Sequence, residues 1–554
     1  EGIKVESSAP AIFTAKAGES LKDQKFDYTL TNTTSNLLEY KAEILWPENE
    51  HLEDRPVVVT ANESTSAVAG ELQPGESKAI TIAPRSENGG RGWQYKWATD
   101  LYGWYTGMAY LLPIIGGYIA DRFIGTHRSM VVGGLIIALG HIVLAASGIG
   151  SLAHSTLGMT VFVFGLVLIV LGTGHFKPCV SVMVGQLYPP GDPRREGGFS
   201  IFYMGINLGA FICAFVCGTL GEKVGWHWGF GSAAVGMIAG LLIYTLGRPN
   251  YLAGIGLPPE GRTNTAPMFA MLSIVLAAGV AGLYHVGTLG WLNSRIDACF
   301  GNIYFVVAFL LAIVMLVGWF VAAQKPGERG PVFSIFVFIL FNVLFWMAFE
   351  QAGSSLNIFA EENTNRYILG REMPTTWFQS VNAFCIIMLA PLFNIMWSWL
   401  GRRNMDPSQS MKISMGLFLL GVGYLFMVWA GVLTKEGAKV GSFFLLATYF
   451  FHTLGELCLS PTGLSYVTKT APLRFMSLLM GVWFLSSFVA GVAGGKMAGL
   501  VEDLEKGRTQ LPWHSWNLGG KADFFLLFVV TSFAGAAVML VLVPLMKRVA
   551  PEKA

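Results

Sequence analysis

The sequence predicts an all-α multi-pass membrane protein joined to a small all-β N-terminal domain, and three observations carry that prediction. Of 554 residues, 53% are hydrophobic and only 13% charged, against about 25% charged in a typical soluble domain; mean hydropathy is +0.52. From Trp97 onward one apolar run follows another, each of the roughly 20 residues that cross a bilayer as a helix. Residues 1–92 differ sharply, with 15 Asp/Glu against 9 Lys/Arg and no Cys. Lys+Arg 37 against Asp+Glu 35 leaves a net charge of +2. These figures exclude a disordered chain, a nucleic-acid binder and a typical cytosolic enzyme. Six Cys in so long a chain form no disulfide framework.

Residues 1–92 read as β-rich. Phe26–Thr31 and Tyr40–Trp46 alternate apolar and polar residues, while Val57–Thr60 and Ala79–Ile82 are short β-favouring runs. Turn formers separate them at Asn32–Asn36, Pro47–Asn49 and Gln73–Glu76. Short strands with turn signals at such intervals suggest an immunoglobulin-like sandwich. Ser86–Gly92 reads as a linker, and the domain contains no catalytic or metal-ligand cluster.

The remainder divides into thirteen spans: 99–120, 128–149, 157–186, 197–221, 227–246, 266–288, 299–323, 331–359, 375–400, 411–433, 441–468, 474–498 and 523–546. An odd number puts the ends of the membrane domain on opposite sides. Counting Lys/Arg in alternate loops gives sixteen against nine, so the richer set and the C-terminus are expected in the cytoplasm. Residues 1–92 then fall outside, in the periplasm of a Gram-negative cell. No signal peptide is visible.

The first loop of the membrane domain, Gly116 to Arg128, resembles the loop between helices 2 and 3 of the major facilitator superfamily. Asp121, Arg122 and Arg128 would form a charged latch that biases one state of an alternating-access cycle; a solvated positive-inside loop is the bland alternative. Ionisable residues inside spans are the sharper signal, because a charge in hydrocarbon costs several kcal/mol and marks a pathway or a pair. Lys177, Glu350 and Glu456 stand out. One cation and two carboxylates could hold the ends of a zwitterion, carry a proton, or lock helices as structural ion pairs. His175 and His452 read as packed, hydrogen-bonded histidines, and Lys496 as a lysine that snorkels to the interface.

Several motifs in order extend the resemblance. Gly174–Cys179 is similar to the fourth-helix lysine motif of the proton-coupled oligopeptide transporters, a family of the major facilitator superfamily. Phe202–Ala210 resembles their fifth-helix signature, Phe345–Ser355 their seventh helix, Trp377–Asn382 their eighth, and Gly455–Pro472 their tenth. The resemblance covers residues from about 97 to 550, over four fifths of the chain. It implies import of di- and tripeptides coupled to protons, with no cofactor. It places Lys177, Glu350 and Glu456 in proton coupling. It assigns Glu456 to the peptide amine, Lys177 to the carboxylate, Asn207 and Asn382 to the backbone, and Tyr110, Trp346 and Trp483 to the pocket walls, with Ser460 a weaker carry-over. Without it, Asn207 could simply bridge helices and the two Trp could be ordinary packing.

The resemblance also sorts the spans: residues 93–246 form an N-terminal half of five, 247–330 hold an inserted helical pair with its linkers, and 331–554 form a C-terminal half of six. The pair carries no chemistry of its own. The family's first-helix signature is absent, and the β-rich segment stands in its place. A natural fusion, a processed or incomplete chain and a chimeric gene model remain open. The rival reading from another class is a membrane sensor that binds peptide without transporting it.

Overall fold

A computed structural model describes residues 3–7, 26–43, 67–82 and 95–550 apart from 190, 191, 193, 260, 262, 369, 370, 436, 506–508, 510 and 512–517. Eleven of its helices are long and apolar enough to cross a membrane. Two more helices, α1 (Tyr95–Ile119) and α14 (Phe443–Thr470), coincide with predicted spans and pack in the same bundle, outside the eleven. The Tyr95 end of the bundle, where α1 begins, serves below as a reference direction.

The N-terminal half comprises α1, α2 (Thr126–Ser147), α3 (Thr156–Gln186), α4 (Arg194–Cys213), the short α5 (Thr219–Lys223) and α6 (Trp226–Tyr251). The inserted pair is α7 (Ala266–His285) and α9 (Ile303–Ala322), joined by a helix that the sequence reading missed, α8 (Thr288–Gly301). The C-terminal half comprises α10 (Pro326–Phe349), α11 (Ser355–Glu362), α12 (Ser380–Arg402), α13 (Gln409–Leu433), α14, α15 (Met476–Ala498), α16 (Leu500–Glu505) and α17 (Lys521–Val549). Two predicted spans prove interrupted. A π-helical turn, Ala214–Gly218, separates α4 from α5, and a 3-10 turn, Glu350–Gly353, ends α10.

Between apolar helices in lipid, close packing of small residues does much of what hydrophobic burial does in water. The seam between the halves illustrates it. Gly103 and Gly107 on α1 face Gly491 and Gly495 on α15 at a four-residue spacing. A methyl group on Gly495 would come within 2.7 Å of the Gly103 Cα and nearer still to the Thr99 carbonyl oxygen. Gly495→Val is therefore expected to destabilise the fold by about 1–3 kcal/mol, the usual cost of overpacking; a thermal unfolding midpoint equal to that of the parent chain would contradict this crossing. The C-terminal half has its own aromatic core, with Phe338, Phe345, Phe359, Tyr424, Phe524, Phe525 and Phe528 fully buried.

In the N-terminal segment β1 (Ile3–Ser7), β2 (Phe26–Asn32) and β5 (Ser77–Ile82) form an antiparallel sheet in the order β1-β2-β5, and β3 (Leu38–Glu43) pairs antiparallel with β4 (Ala67–Leu72). Leu30, Leu72 and Ile80 make a small core. The predicted strands at 26–31 and 79–82 lie in β2 and β5. The run at 40–46 overlaps β3, displaced toward Leu38. Val57–Thr60 and the linker at 86–92 lie outside the described residues.

Candidate functional site

The site is built at the middle of the bundle, and glycines set its depth. Gly174 on α3 lies against Gly116 on α1 so closely that a Cβ on Gly174 would meet the Leu112 Cβ at 3.0 Å. This contact brings Lys177, one turn further along α3, next to α1. Its Nζ lies 4.0 Å from the centre of the Tyr110 ring, within range of a cation–π attraction that partly replaces lost hydration. Pro178 follows inside the helix; it cannot donate to the carbonyl four residues back, Gly174, which loosens the backbone there.

Glu350 comes from the other half. It opens the 3-10 turn at which α10 breaks, so its carboxylate projects where the helical ladder is interrupted. Buried polar side chains stabilise that break. Gln351, fully buried, donates to the Gly494 carbonyl at 2.9 Å and the Met347 carbonyl at 3.2 Å, and accepts from Ser355 Oγ at 2.7 Å. Tyr424 donates its hydroxyl to the Ala348 carbonyl at 2.6 Å. Tyr102 of the N-terminal half lies directly over Gly353, leaving no room for a side chain there.

Glu456, on α14, is 7% exposed. Its Oε2 accepts from Asn382 Nδ2 on α12 at 2.9 Å, and the same amide lies 3.0 Å from Thr453 Oγ1. Lys177 and Glu350 act on one another electrostatically, as do Glu350 and Glu456, and both carboxylates act electrostatically on Tyr110. Lys177, Tyr110, Glu350, Glu456 and Asn382 are thus one connected polar group drawn from both halves, enclosed by apolar helices. Burying these charges is costly unless they are paired or offered to a ligand.

The other expected residues are placed less uniformly. Trp346 packs edge-on to Phe345 and Phe349 beside Glu350, and Trp483 is buried in the core of the C-terminal half. Asn207 is buried but turns its amide onto its own helix, donating to the Tyr203 carbonyl at 2.9 Å, so this bond bridges no helices. Ser460 lies on α14 with its side chain outside the described residues. At the opposite end of the bundle, Asp121 and Arg122 are exposed on a π-helical turn, Ala120–Ile124. Arg128 is half-buried, and among the described residues its Nη1 has no hydrogen-bond partner. Among the described residues none of the three forms an ion pair. His175 and His452 are both buried; His175 Nδ1 lies 3.2 Å from Ser129 Oγ, and His452 packs on Tyr424 with ring centres 4.7 Å apart.

Sequence reasoning missed Tyr102, Gln351, Thr453 and Tyr424. Only Gln351 left a signal, as an amide inside an apolar run beside a carboxylate. It also missed a belt of bonds that ties the halves at the Tyr95 end. Glu222, on α5, accepts from the Thr375 and Thr376 amides at 2.8 and 2.9 Å and from Thr375 Oγ1 at 2.8 Å. Lys223 pairs with Glu372 at 3.1 Å, and Trp377 Nε1 donates to Thr219 Oγ1 at 2.9 Å. The Tyr95 amide donates to Glu502 at 3.3 Å.

Two helical halves joined at one end around a shared, mid-bundle set of charges define a membrane transporter of the major facilitator kind. The comparisons make the class specific. The family model described as "POT family" matches residues 127–514, and the chain belongs to that family. It is 38% identical to "Peptide transporter YePEPT" of Yersinia enterocolitica subsp. palearctica over 434 residues, 75% of this chain and 81% of that one. It is 33% identical to the "Di-/tripeptide transporter" of Lactococcus lactis subsp. lactis over 74% of this chain and 80% of that one. Among solved structures, a peptide transporter POT in complex with sulfate superimposes with a TM-score of 0.68 at 32% identity, over 83% of this chain and 88% of the other. A POT family transporter in complex with 5-aminolevulinic acid gives 0.67 at 27%, over 82% and 89%.

Proposed function

We propose that the protein is a secondary active transporter that imports di- and tripeptides together with protons. The observation that carries this reading is the central group itself: a lysine from one half and two carboxylates from the other, held within electrostatic reach of each other. A peptide's two charged ends need a cation and an anion facing one cavity. Glu456, steadied by Asn382, holds the amine and Lys177 the carboxylate; Asn207 and Asn382 read the backbone, and Tyr110, Trp346 and Trp483 form walls that tolerate varied side chains, with Ser460 a weaker member of the site.

Protons are the coupling ion. Lys177 and Glu350 attract each other when both are charged, and protonating Glu350 removes that attraction. The lysine is then available to a peptide carboxylate, and peptide and proton enter together. Alternating access follows from rocking of the two halves about the α1–α15 crossing. The belt at the Tyr95 end makes this conformation closed on that side. Loop charge puts that side and the β-rich segment in the periplasm and the C-terminus in the cytoplasm of a bacterial inner membrane; Asp121, Arg122 and Arg128 then lie on the cytoplasmic side, where they latch the opposite conformation.

The β-rich segment standing where the first-helix signature belongs favours one second reading, a sensor that binds peptide without moving it. A single experiment separates them. Proteoliposomes loaded with a pH-sensitive dye are given an unlabelled dipeptide. Proton-coupled transport acidifies the lumen in proportion to dipeptide entry; peptide binding with no change in luminal pH supports the sensor.

A further inference from the structure

The inserted helical pair carries no chemistry in the sequence, and Lys496 reads there as a snorkelling lysine. In the structure Lys496 is paired with the helix that joins that pair. At the Tyr95 end, just beyond the Gly103–Gly495 crossing, α8 lies across the seam between the halves. Asp297 of α8 reaches both: its Oδ1 is 2.6 Å from Lys496 Nζ on α15, and its Oδ2 is 3.6 Å from Lys96 Nζ on α1. Asn293, one turn earlier on the same face, repeats the pattern. Its Nδ2 donates to Asp100 of α1 at 2.9 Å, while its Oδ1 accepts from Trp104 Nε1 of α1 and from Lys496 Nζ, each at 3.1 Å. Asp100 is 7% exposed and lies 3.4 Å from Lys496.

The rest of the pair shows why this contact matters. No residue of α8 or α9 is buried, and the rings that pack on Phe300 of α8 are Phe305 and Phe309 of its neighbour α9, so polar contacts are what fasten α8 to α1 and α15. The fixed base is α7, which packs on the N-terminal half through Ala266 and Ala277 and is tied near its end by His285, 2.9 Å from Thr160 of α3. The helix that follows α7 therefore grips a lysine of the other half, while α9 leads on to that half, where Phe320 packs on Phe336 and Phe475.

We propose that α8 is a clasp, in which Asn293 and Asp297 are positioning residues that hold the two halves together at the Tyr95 end and so set how readily that end opens. Rocking that separates α1 from α15 there must part Lys496 from Asp297 or Lys96 from Asp297, because one carboxylate serves both. Loosening the clasp raises the population open on the Tyr95 side. An apparent affinity scales with the fraction of molecules in the competent state, so substrate arriving from that side binds more tightly. The consequence for uptake rests on the transport reading; the clasp itself does not.

The test is hydrogen–deuterium exchange on the full chain in lipid nanodiscs, comparing the parent with Asp297→Ala and Asp297→Glu. The reporters are the Thr375 and Thr376 amides, which donate to Glu222 on another part of the seam. A clasp predicts that Asp297→Ala speeds their exchange about threefold or more, that Asp297→Glu behaves like the parent, and that Asn293→Ala repeats the alanine pattern if Asp297→Ala unfolds. In uptake assays, Asp297→Ala should lower the apparent KM from the Tyr95 side about threefold. Faster exchange confined to α8 and the residues it touches, with Thr375 and Thr376 unchanged, overturns the clasp. Absence of uptake by the parent would count against transport while the exchange result still decides the clasp.

Discussion

Glu456→Gln is expected to raise the concentration of a free-amine dipeptide needed for half-maximal uptake about 10- to 100-fold, while leaving insertion and thermal stability near those of the parent. The argument is local. Glu456 is buried, and Asn382 engages its Oε2. A glutamine keeps the shape and a carbonyl oxygen for Asn382 but loses the charge. A hydrogen bond to a charged group is worth roughly 1.5–3 kcal/mol, and each 1.4 kcal/mol is tenfold in affinity. An N-acetylated dipeptide, which brings no ammonium to the site, should lose much less. Equal loss for both ligands would remove Glu456 from the amine site.

Lys177→Ala is the second large effect, and it separates coupling from movement. Lys177 is the cation that faces Glu350 across the halves and rests on Tyr110. In the proposed mechanism protonation of Glu350 frees this cation for peptide, and the variant has no cation to free. The variant is expected to lose concentrative uptake under an inward proton gradient, to the level of empty vesicles. Exchange of labelled for unlabelled dipeptide at equal concentrations should persist at reduced affinity. Unchanged accumulation would take Lys177 out of the coupling pathway.

Much of this architecture is legible in the sequence because of what hydrocarbon demands. A spanning helix needs about 20 apolar residues, so the helices of the bundle stand out with edges correct to a few residues. Lys177, Glu350 and Glu456 are visible for the same reason, since a charge in such a run is rarely tolerated without a role. The breaks are not visible: Glu350–Gly353 and Ala214–Gly218 interrupt runs whose hydropathy continues, and the first of them is stabilised by tertiary bonds from Gln351, Tyr424 and Tyr449.

The clasp was hidden for a different reason. Asp100, the Asn293 and Asp297 of α8, and Lys496 come from three distant stretches of the chain, and each alone reads as an ordinary polar residue near a helix end. Their meaning is their juxtaposition, which the α1–α15 crossing creates. The glycines of that crossing are plain in the sequence, but Gly-rich helices are common in membranes, so their spacing alone does not say which helices meet. In the N-terminal segment β1, Ile3-Lys4-Val5-Glu6-Ser7, alternates as a strand should but is only five residues long, while β4 is Ala- and Gly-rich and carries little strand preference of its own.

The central claim is that these two halves move peptide with protons. Its most direct test is accumulation of a labelled dipeptide in proteoliposomes holding the full chain, with and without an inward proton gradient, beside the Glu456→Gln variant. Gradient-driven accumulation above the external concentration, lost in the variant, is the predicted result. Well-folded protein that binds dipeptide yet accumulates none under either condition would contradict it.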